Sequence, residues 1–248
     1  MMITIAYEQH VMFLLPADRR EAGRGDTGCV ATDDGHLDEA FAVLVGGKDV
    51  VVRMYHGIRH LHTYLLQHYR YVKAAGGVVT TPAGEYLMID RQGHWDLPKG
   101  MVEPLPVGGI RQQETLAAAE VRWKETPSAS DARRKETLAA AEIRRKETLA
   151  AAAAREVMEE TGVTPESVNQ LIAKTYHIYD KYGGWHLKQT SWFAMTAQHQ
   201  PTRPQREEEI AQAAWVPRDV CLDRLAHSYA TLRQVGKRLA TLRPDNSL

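Results

Sequence analysis

Apolar and polar positions alternate in short bursts over the first 72 residues: Ile3, Ile5 and Tyr7, then Val11 to Leu15, Phe41 to Val45 and Val50 to Val52. Gly, Asp and Pro separate the bursts, which therefore predict short strands. Ile58 to Tyr71 changes period, with Leu61, Tyr64, Leu65, His68 and Tyr69 at helical spacing. This predicts a helix closing a small N-terminal α+β unit over residues 1–72. From Ala74 the texture becomes hairpin-like. Gly76 to Thr80 and Tyr86 to Asp90 read as strands joined across Pro82, Ala83 and Gly84, and Leu171 to Tyr179 and His186 to Ala197 read as a second pair joined near Gly183 and Gly184. Ala214, Trp215 and Val216 form a short apolar element, and from Pro217 onward Leu222, Leu225, Leu232 and Leu239 lie on a helical stripe.

Between the two hairpins stands a tandem repeat of eleven residues, beginning at Glu114, Glu125, Glu136 and Glu147. Eleven residues make three turns at about 3.67 residues per turn, so a helix keeps its faces aligned from unit to unit. Ala, Leu, Glu, Lys and Arg favour that helix, while Pro127 interrupts the second unit. The pattern predicts one helix from Arg133 to Glu160, of about 42 Å at ~1.5 Å per residue, part of it projecting into solvent. An oligomerisation arm, and with it a homodimer, is one use of such a helix, although its apolar seam is mostly Ala and thin for a coiled coil.

Charge changes the picture by what it excludes. The 248 residues carry 31 Lys+Arg against 31 Asp+Glu, with no basic surplus for gripping nucleic acid or an anionic membrane. No window approaches the ~20 apolar residues of a spanning helix, and the start lacks the basic and long apolar regions of a secretory signal. Cys29 and Cys221 stand in unrelated contexts, so neither a disulfide framework nor a zinc site is encoded. Together these features predict a soluble cytoplasmic protein.

The chemistry concentrates where the last repeat runs into Arg155-Glu156-Val157-Met158-Glu159-Glu160-Thr161-Gly162-Val163. On a helix Glu156, Glu159 and Glu160 stand at i, i+3 and i+4, placing three carboxylates on one face within a turn. Unpaired they repel one another. Either basic side chains such as Arg155 solvate the face, or a hard cation with oxygen ligands, Mg²⁺ or Mn²⁺, holds it together.

Glu147, seven residues, then Arg155-Glu156-Val157-x-Glu159-Glu160-x-Gly162-Val163 resembles the second half of the Nudix box, G-x5-E-x7-R-E-U-x-E-E-x-G-U with U apolar. Trp95-Asp96-Leu97-Pro98-Lys99-Gly100 resembles the loop that supplies its first glycine, Ala75-Gly76-Gly77-Val78-Val79 its neighbouring strand, and Glu209-Ile210 with Trp215-Val216 its late segment. The resemblance spans roughly residues 74–220. The departure is the spacing: Gly100 and Glu147 are 47 positions apart where the box wants six. Gly108 recovers that spacing if the three repeats from Glu114 to Lys146 are removed, which suggests a helix start copied in tandem; a helical insertion for partner binding is the alternative.

The resemblance implies an α/β fold, the Nudix α/β/α sandwich with a mixed sheet, over residues 73–248, preceded by the α+β unit and carrying a helical insertion at about 106–146. It implies hydrolysis of a diphosphate linked to another moiety, in a nucleoside diphosphate derivative or dinucleoside polyphosphate, with Mg²⁺ or Mn²⁺ as cofactor. Glu156, Glu159 and Glu160 match the metal-binding acids, the carbonyl of Gly100 (or of Gly108) the backbone ligand, and Arg155 and Glu147 the residues that orient them. Glu156 or Glu159 on the turn, or Glu209 with its neighbours Glu207 and Glu208, are the candidates for the catalytic acid or base. Lys99 and Arg91 are candidates for phosphate contacts, and Trp95, Tyr179, Tyr182 or Trp185 for stacking a base, whereas His177 and His186 read as structural. A non-catalytic nucleotide-metabolite sensor of the same fold is the competing reading. The intact acidic triplet favours catalysis.

Overall fold

A computed structural model describes residues 3–16, 30–103, 147–181 and 183–242. Eleven strands among them form one mixed sheet: β1 Ile3–Tyr7, β2 His10–Pro16, β3 Val30–Asp33, β4 Val50–Met54, β5 Arg70–Thr80, β6 Tyr86–Arg91, β7 His94–Asp96, β8 Lys99–Met101, β9 Ser167–Lys181, β10 Gly184–Thr196 and β11 Ile210–Val216. The path across the sheet is β11-β6-β5-β10-β9-β1-β2-β4-β3, with β7 on β6 and β8 on β5. Helices α1 Leu37–Val45, α2 Ile58–His68, α3 Leu149–Thr161, α4 Arg218–Ala226 and α5 Ala230–Thr241 cover its two faces. This is an α/β fold built on one mixed sheet.

Alternation along β10 divides the layers. Leu187 joins Ile178, Leu14 and Val52 in a core under α1 and α2, and on the same face Phe193 and Met195 pack with Ala152, Ala153 and Val157 of α3. Trp192 and Ala194 point the other way, into a core with Cys221 and Leu225 of α4 and Leu232, Val235 and Leu239 of α5. A strand that is apolar on both faces is a central one, covered on each side. The close seating of α3 depends on Gly77, where a Cβ would meet Val157 and Met195 within 2.8 Å.

Residues 3–68 extend this sheet. Ile5 and Ala6 of β1 pair in parallel with Tyr176 and His177 of β9, and Arg233 of α5 donates to the carbonyl of Gln9 at 2.8 Å and to its side chain at 2.6 Å. Within this part the burst from Phe41 to Val45 is not a strand. It lies in α1, because Leu37, Ala40, Phe41 and Leu44 are the buried positions and recur at three- and four-residue intervals. The long helix expected from Arg133 to Glu160 is also corrected in its described part. Thr148 is extended, at φ −69 and ψ 154, and its hydroxyl accepts from the Ala151 N–H at 3.1 Å, so α3 begins with an N-cap at this position. Residues 104–146, including Gly108 and the first three repeats, lie outside the described residues, as does Tyr182.

Candidate active site

Helix α3 carries the acidic turn. Thr148 starts it, and Gly162 stops it at φ 74 with its N–H on the Met158 carbonyl, a left-handed termination that favours glycine. Val157 faces the sheet and is fully buried, which turns Glu156 and Glu160, on the adjacent side of the helix, toward β8. Glu160 is 2% exposed and Glu156 9%, while Glu159 is open to solvent.

Gly100, in the middle of β8, lies against the Glu156 carboxylate so closely that a Cβ there would overlap it. Of the two glycines that the sequence offers, Gly100 lies at the acids, and Gly108 is outside the described residues. Next to it the Lys99 N–H donates to Glu160 Oε2 at 2.9 Å, and Arg91, from β6, pairs with the other oxygen of the same carboxylate.

Arg155 organises the opposite side. Its guanidinium donates to Glu147 at 2.7 and 3.2 Å, to Glu156 at 2.9 Å, to Glu159 at 2.7 Å and to the Met101 carbonyl at 2.9 Å. A planar fork of five N–H groups suits this role, where a lysine could not serve so many acceptors in fixed directions. Glu147 in turn accepts from the Glu103 N–H at 2.8 Å. The hydrogen bonds to Glu147, followed by the charge of Glu156, hold Arg155 well above its ordinary range.

Burial pushes Glu156 up to about 7 in spite of Arg155, and the Glu160 charge adds to the rise. Glu160 is also raised by burial, against the pull of Lys99 and Arg91. Among the described residues no three His, Cys, Asp or Glu side chains converge on one point. Arg155 draws Glu156 and Glu159 to one side, and Arg91 and the Lys99 backbone draw Glu160 to the other. The donor set nevertheless fits a hard divalent ion: two enclosed carboxylates that resist ionisation, a third within the same turn, and a backbone cradle at Gly100 that has no Cβ to fill it.

The remaining candidates lie around this turn. Glu209 is exposed, at φ 57, and pairs with Gln92, the neighbour of Arg91. The segment that leads to it is tied to the end of α3, through Arg203 N–H on the Thr161 carbonyl at 2.7 Å and Gln205 N–H on the Glu160 carbonyl at 3.2 Å. Glu207 and Glu208 form a 3₁₀ turn with exposed side chains. Trp95 lies under the Arg224 guanidinium, 3.4 Å from the ring centroid. Tyr179 stacks between His177 and His186, and Trp185 packs against Tyr7 and Tyr69.

Two residues at the site were not singled out from the sequence. Asp96, almost fully buried, pairs with the Lys99 ammonium. Lys188, on β10, reaches the same neighbourhood, where it feels the charges of Lys99, Asp96, Arg91 and Glu160. Asp96 ends β7 three residues before Lys99, which opens β8, and Lys188 alternates with Thr190 and Trp192, so both signals were present as a charge within a strand.

The family model described as NUDIX domain matches residues 124–234. Comparison with curated proteins gives no match. Among solved structures the chain is similar to a C. elegans Ap4A hydrolase, with 20% identity over 68% of this chain and 95% of that one and a TM-score of 0.41. It is similar to a MutT protein from Methanosarcina mazei Go1, with 17% identity over 69% and 94% and a TM-score of 0.40. A third is the NUDIX domain of Shewanella oneidensis NrtR complexed with ADP ribose, with 15% identity over 72% and 96% and a TM-score of 0.41.

Proposed function

We propose that this chain, which the NUDIX domain model matches over residues 124–234, is a pyrophosphohydrolase of the Nudix type that uses the acidic turn of α3 to bind Mg²⁺ or Mn²⁺ and cleaves a diphosphate linkage in a nucleotide derivative. The observation that carries this reading is the contact of Gly100 with the Glu156 carboxylate. It brings the two halves of the box together although 47 positions separate Gly100 from Glu147. Glu156, Glu159 and Glu160 would hold the ion, with the Gly100 carbonyl beside them. The bound ion supplies charge neutralisation at the phosphate oxygens and a lower pKa for water. Arg155 and Glu147 keep the carboxylates oriented through charge-assisted hydrogen bonds. Arg91 and Lys99 offer cationic groups to the phosphates, partly balanced by Glu160 and Asp96. For the proton at the attacking water, Glu156, which lies against the cradle, and Glu209 are the two candidate acceptors.

Catalysis is favoured over sensing because all three carboxylates and their orienting Arg155 are in place. No described helix is long and apolar enough to cross a membrane. The test is release of phosphate or nucleotide from a panel of nucleoside diphosphate derivatives and dinucleoside polyphosphates with Mg²⁺, for the parent, Glu159→Gln and Glu160→Gln. Each substitution is expected to cost ~100-fold, as loss of a metal ligand or its close support does. Parent-like turnover in both variants would contradict the assignment.

A further inference from the structure

The three carboxylates of the acidic turn are not equally free. Arg155 Nη1 donates to Glu156 Oε1 at 2.9 Å and to Glu159 Oε2 at 2.7 Å. Among the described residues the other oxygen of each of these side chains accepts no hydrogen bond. Glu160 differs. Its Oε2 accepts from the Lys99 N–H at 2.9 Å and its Oε1 is paired with Arg91 Nη2, so both oxygens are taken.

The two partners of Glu160 are held in different ways. The Lys99 N–H belongs to the backbone of β8, which Gly76 of β5 fixes by strand pairing. The Arg91 bond comes from the end of a long side chain. Its backbone is fixed, because Arg91 pairs with Ile210 of β11 and with His94 across the turn at Gln92 and Gly93, whose φ values are 54 and 79. Its side chain keeps 25% exposure against 3% for Glu160, so the guanidinium has an outlet to solvent and the carboxylate has none. Arg91 Nε is buried and has no partner among the described residues, so the pairing leaves one of its donors unused. An enclosed carboxylate is costly unless paired, and Arg91 supplies the pairing before an ion binds. An ion that takes Glu160 as a ligand needs Oε1, because Oε2 keeps its backbone bond. Oε1 is the atom that Arg91 holds, and two cations repel one another at that range.

We propose that Arg91 is a built-in competitor of the divalent ion at Glu160: it neutralises this carboxylate before the ion binds and leaves Oε1 when the ion arrives, so that it sets the ion concentration at which the site fills. The inference rests on the reading of the α3 turn as an ion site, and adds to it a residue that lowers the affinity of that site. Glu159 and Glu156 each meet the ion with an oxygen already free, so the exchange is confined to Glu160. The released guanidinium is the cation that the same reading offers to a substrate phosphate. Each charge therefore has a partner before and after the exchange.

The test is a double-mutant cycle on Mn²⁺ binding by the full chain at pH 8, with the parent, Arg91→Met, Glu160→Gln and the double variant. Arg91→Met should bind Mn²⁺ about tenfold more tightly than the parent, the scale of one charge-assisted hydrogen bond. In the Glu160→Gln background the same substitution should change the affinity less than ~3-fold, since Arg91 then has no carboxylate to withhold. Thermal melts give an independent readout. Without Mn²⁺ Arg91→Met should melt below the parent, because Glu160 loses its counterion, and saturating Mn²⁺ should remove that difference. A residue that only supports the fold or only binds substrate would leave Mn²⁺ affinity unchanged or lower it. Such a result in Arg91→Met, or an equal gain in both backgrounds, overturns the proposal and leaves the ion site standing. If neither the parent nor Arg91→Met binds Mn²⁺, the ion reading itself fails and the proposal falls with it.

Discussion

Glu103 and Glu147 are hydrogen-bonded to each other although 44 positions separate them: the Glu103 N–H donates to Glu147 Oε1 at 2.8 Å, and the Glu147 N–H to the Glu103 carbonyl at 3.4 Å. The two ends of segment 104–146 therefore meet at the site, which has Gly100 on one side and α3 on the other. Excising residues 106–146 joins Leu105 to Glu147 and restores the G-x5-E spacing with Gly100. The backbone bond from Glu147 to Glu103 then closes a four-residue turn with Pro104 in its second position, where proline is favoured. We expect the excised protein to fold, with a Tm no lower than the parent's, and to keep kcat/KM within ~5-fold, the size of a small change in transition-state stabilisation. Loss of all turnover in a folded excision variant would show that the segment contributes to the site.

Gly100→Ala tests the cradle. The added methyl group overlaps the Glu156 carboxylate, so either β8 or Glu156 has to move, and a shift of an ångström at a metal site costs about 100-fold in rate. Circular dichroism and Tm should stay close to the parent's while kcat/KM falls by that factor. A fully active Gly100→Ala protein would mean that Gly100 does not border the ion.

Glu156 gives the site a pH dependence of defined sign. Its carboxyl titrates at 4.5 in the ordinary range and at about 7 in the folded protein. Between those values the folded chain keeps a proton that the unfolded chain has lost, so raising the pH through this window removes stability. A divalent ion binds the ionised form and reverses the loss. Without divalent ions, thermal melts should fall from pH 5 to pH 8, and Mn²⁺ should raise Tm more at pH 8 than at pH 5.5. In Glu156→Gln that difference between the two pH values should shrink; an unchanged difference would assign the effect elsewhere.

Asp34 anchors the N-terminal part. Fully buried, it accepts from the backbone N–H groups of Tyr55, His56 and Gly57 at 2.9, 2.8 and 3.1 Å, and from the His56 ring at 3.0 Å. Burial would raise its carboxyl, but the His56 ring and the backbone donors outweigh that and hold it below its ordinary value. Asp34→Ala leaves these donors unsatisfied at the start of α2, and urea unfolding should show a loss of about 3 kcal/mol. Mn²⁺ affinity should be unaffected, since no contact links Asp34 to the acidic turn among the described residues.

What could be read from the sequence, and what could not, follows from how local each signal is. The acidic turn was legible because Arg155, Glu156, Glu159, Glu160 and Gly162 act within one helical segment, at spacings that the helix itself dictates. The strands around Val78, Leu87 and Trp192 were legible from their apolar runs. Phe41 to Val45 was misread because five apolar residues in a row fit a strand as well as a helix, and the deciding positions, Leu37 and Ala40, lie outside the burst. The packing of Gly100 on Glu156 is a contact across 56 positions that spacing alone does not encode. Lys188 was missed for the same reason, because the charges that act on it come from β6, β7 and β8 and from the helix that carries Glu160.

The central claim is that the α3 turn binds a divalent ion through Glu156, Glu159 and Glu160. Its most direct test is equilibrium binding of Mn²⁺, read as loss of the free-ion electron paramagnetic resonance signal, in the parent and in Glu160→Gln. The parent should bind Mn²⁺, and the variant should bind at least ~10-fold more weakly while keeping its fold, as removal of a charged ligand requires. Equal binding by both proteins, or none by the parent, would contradict the account.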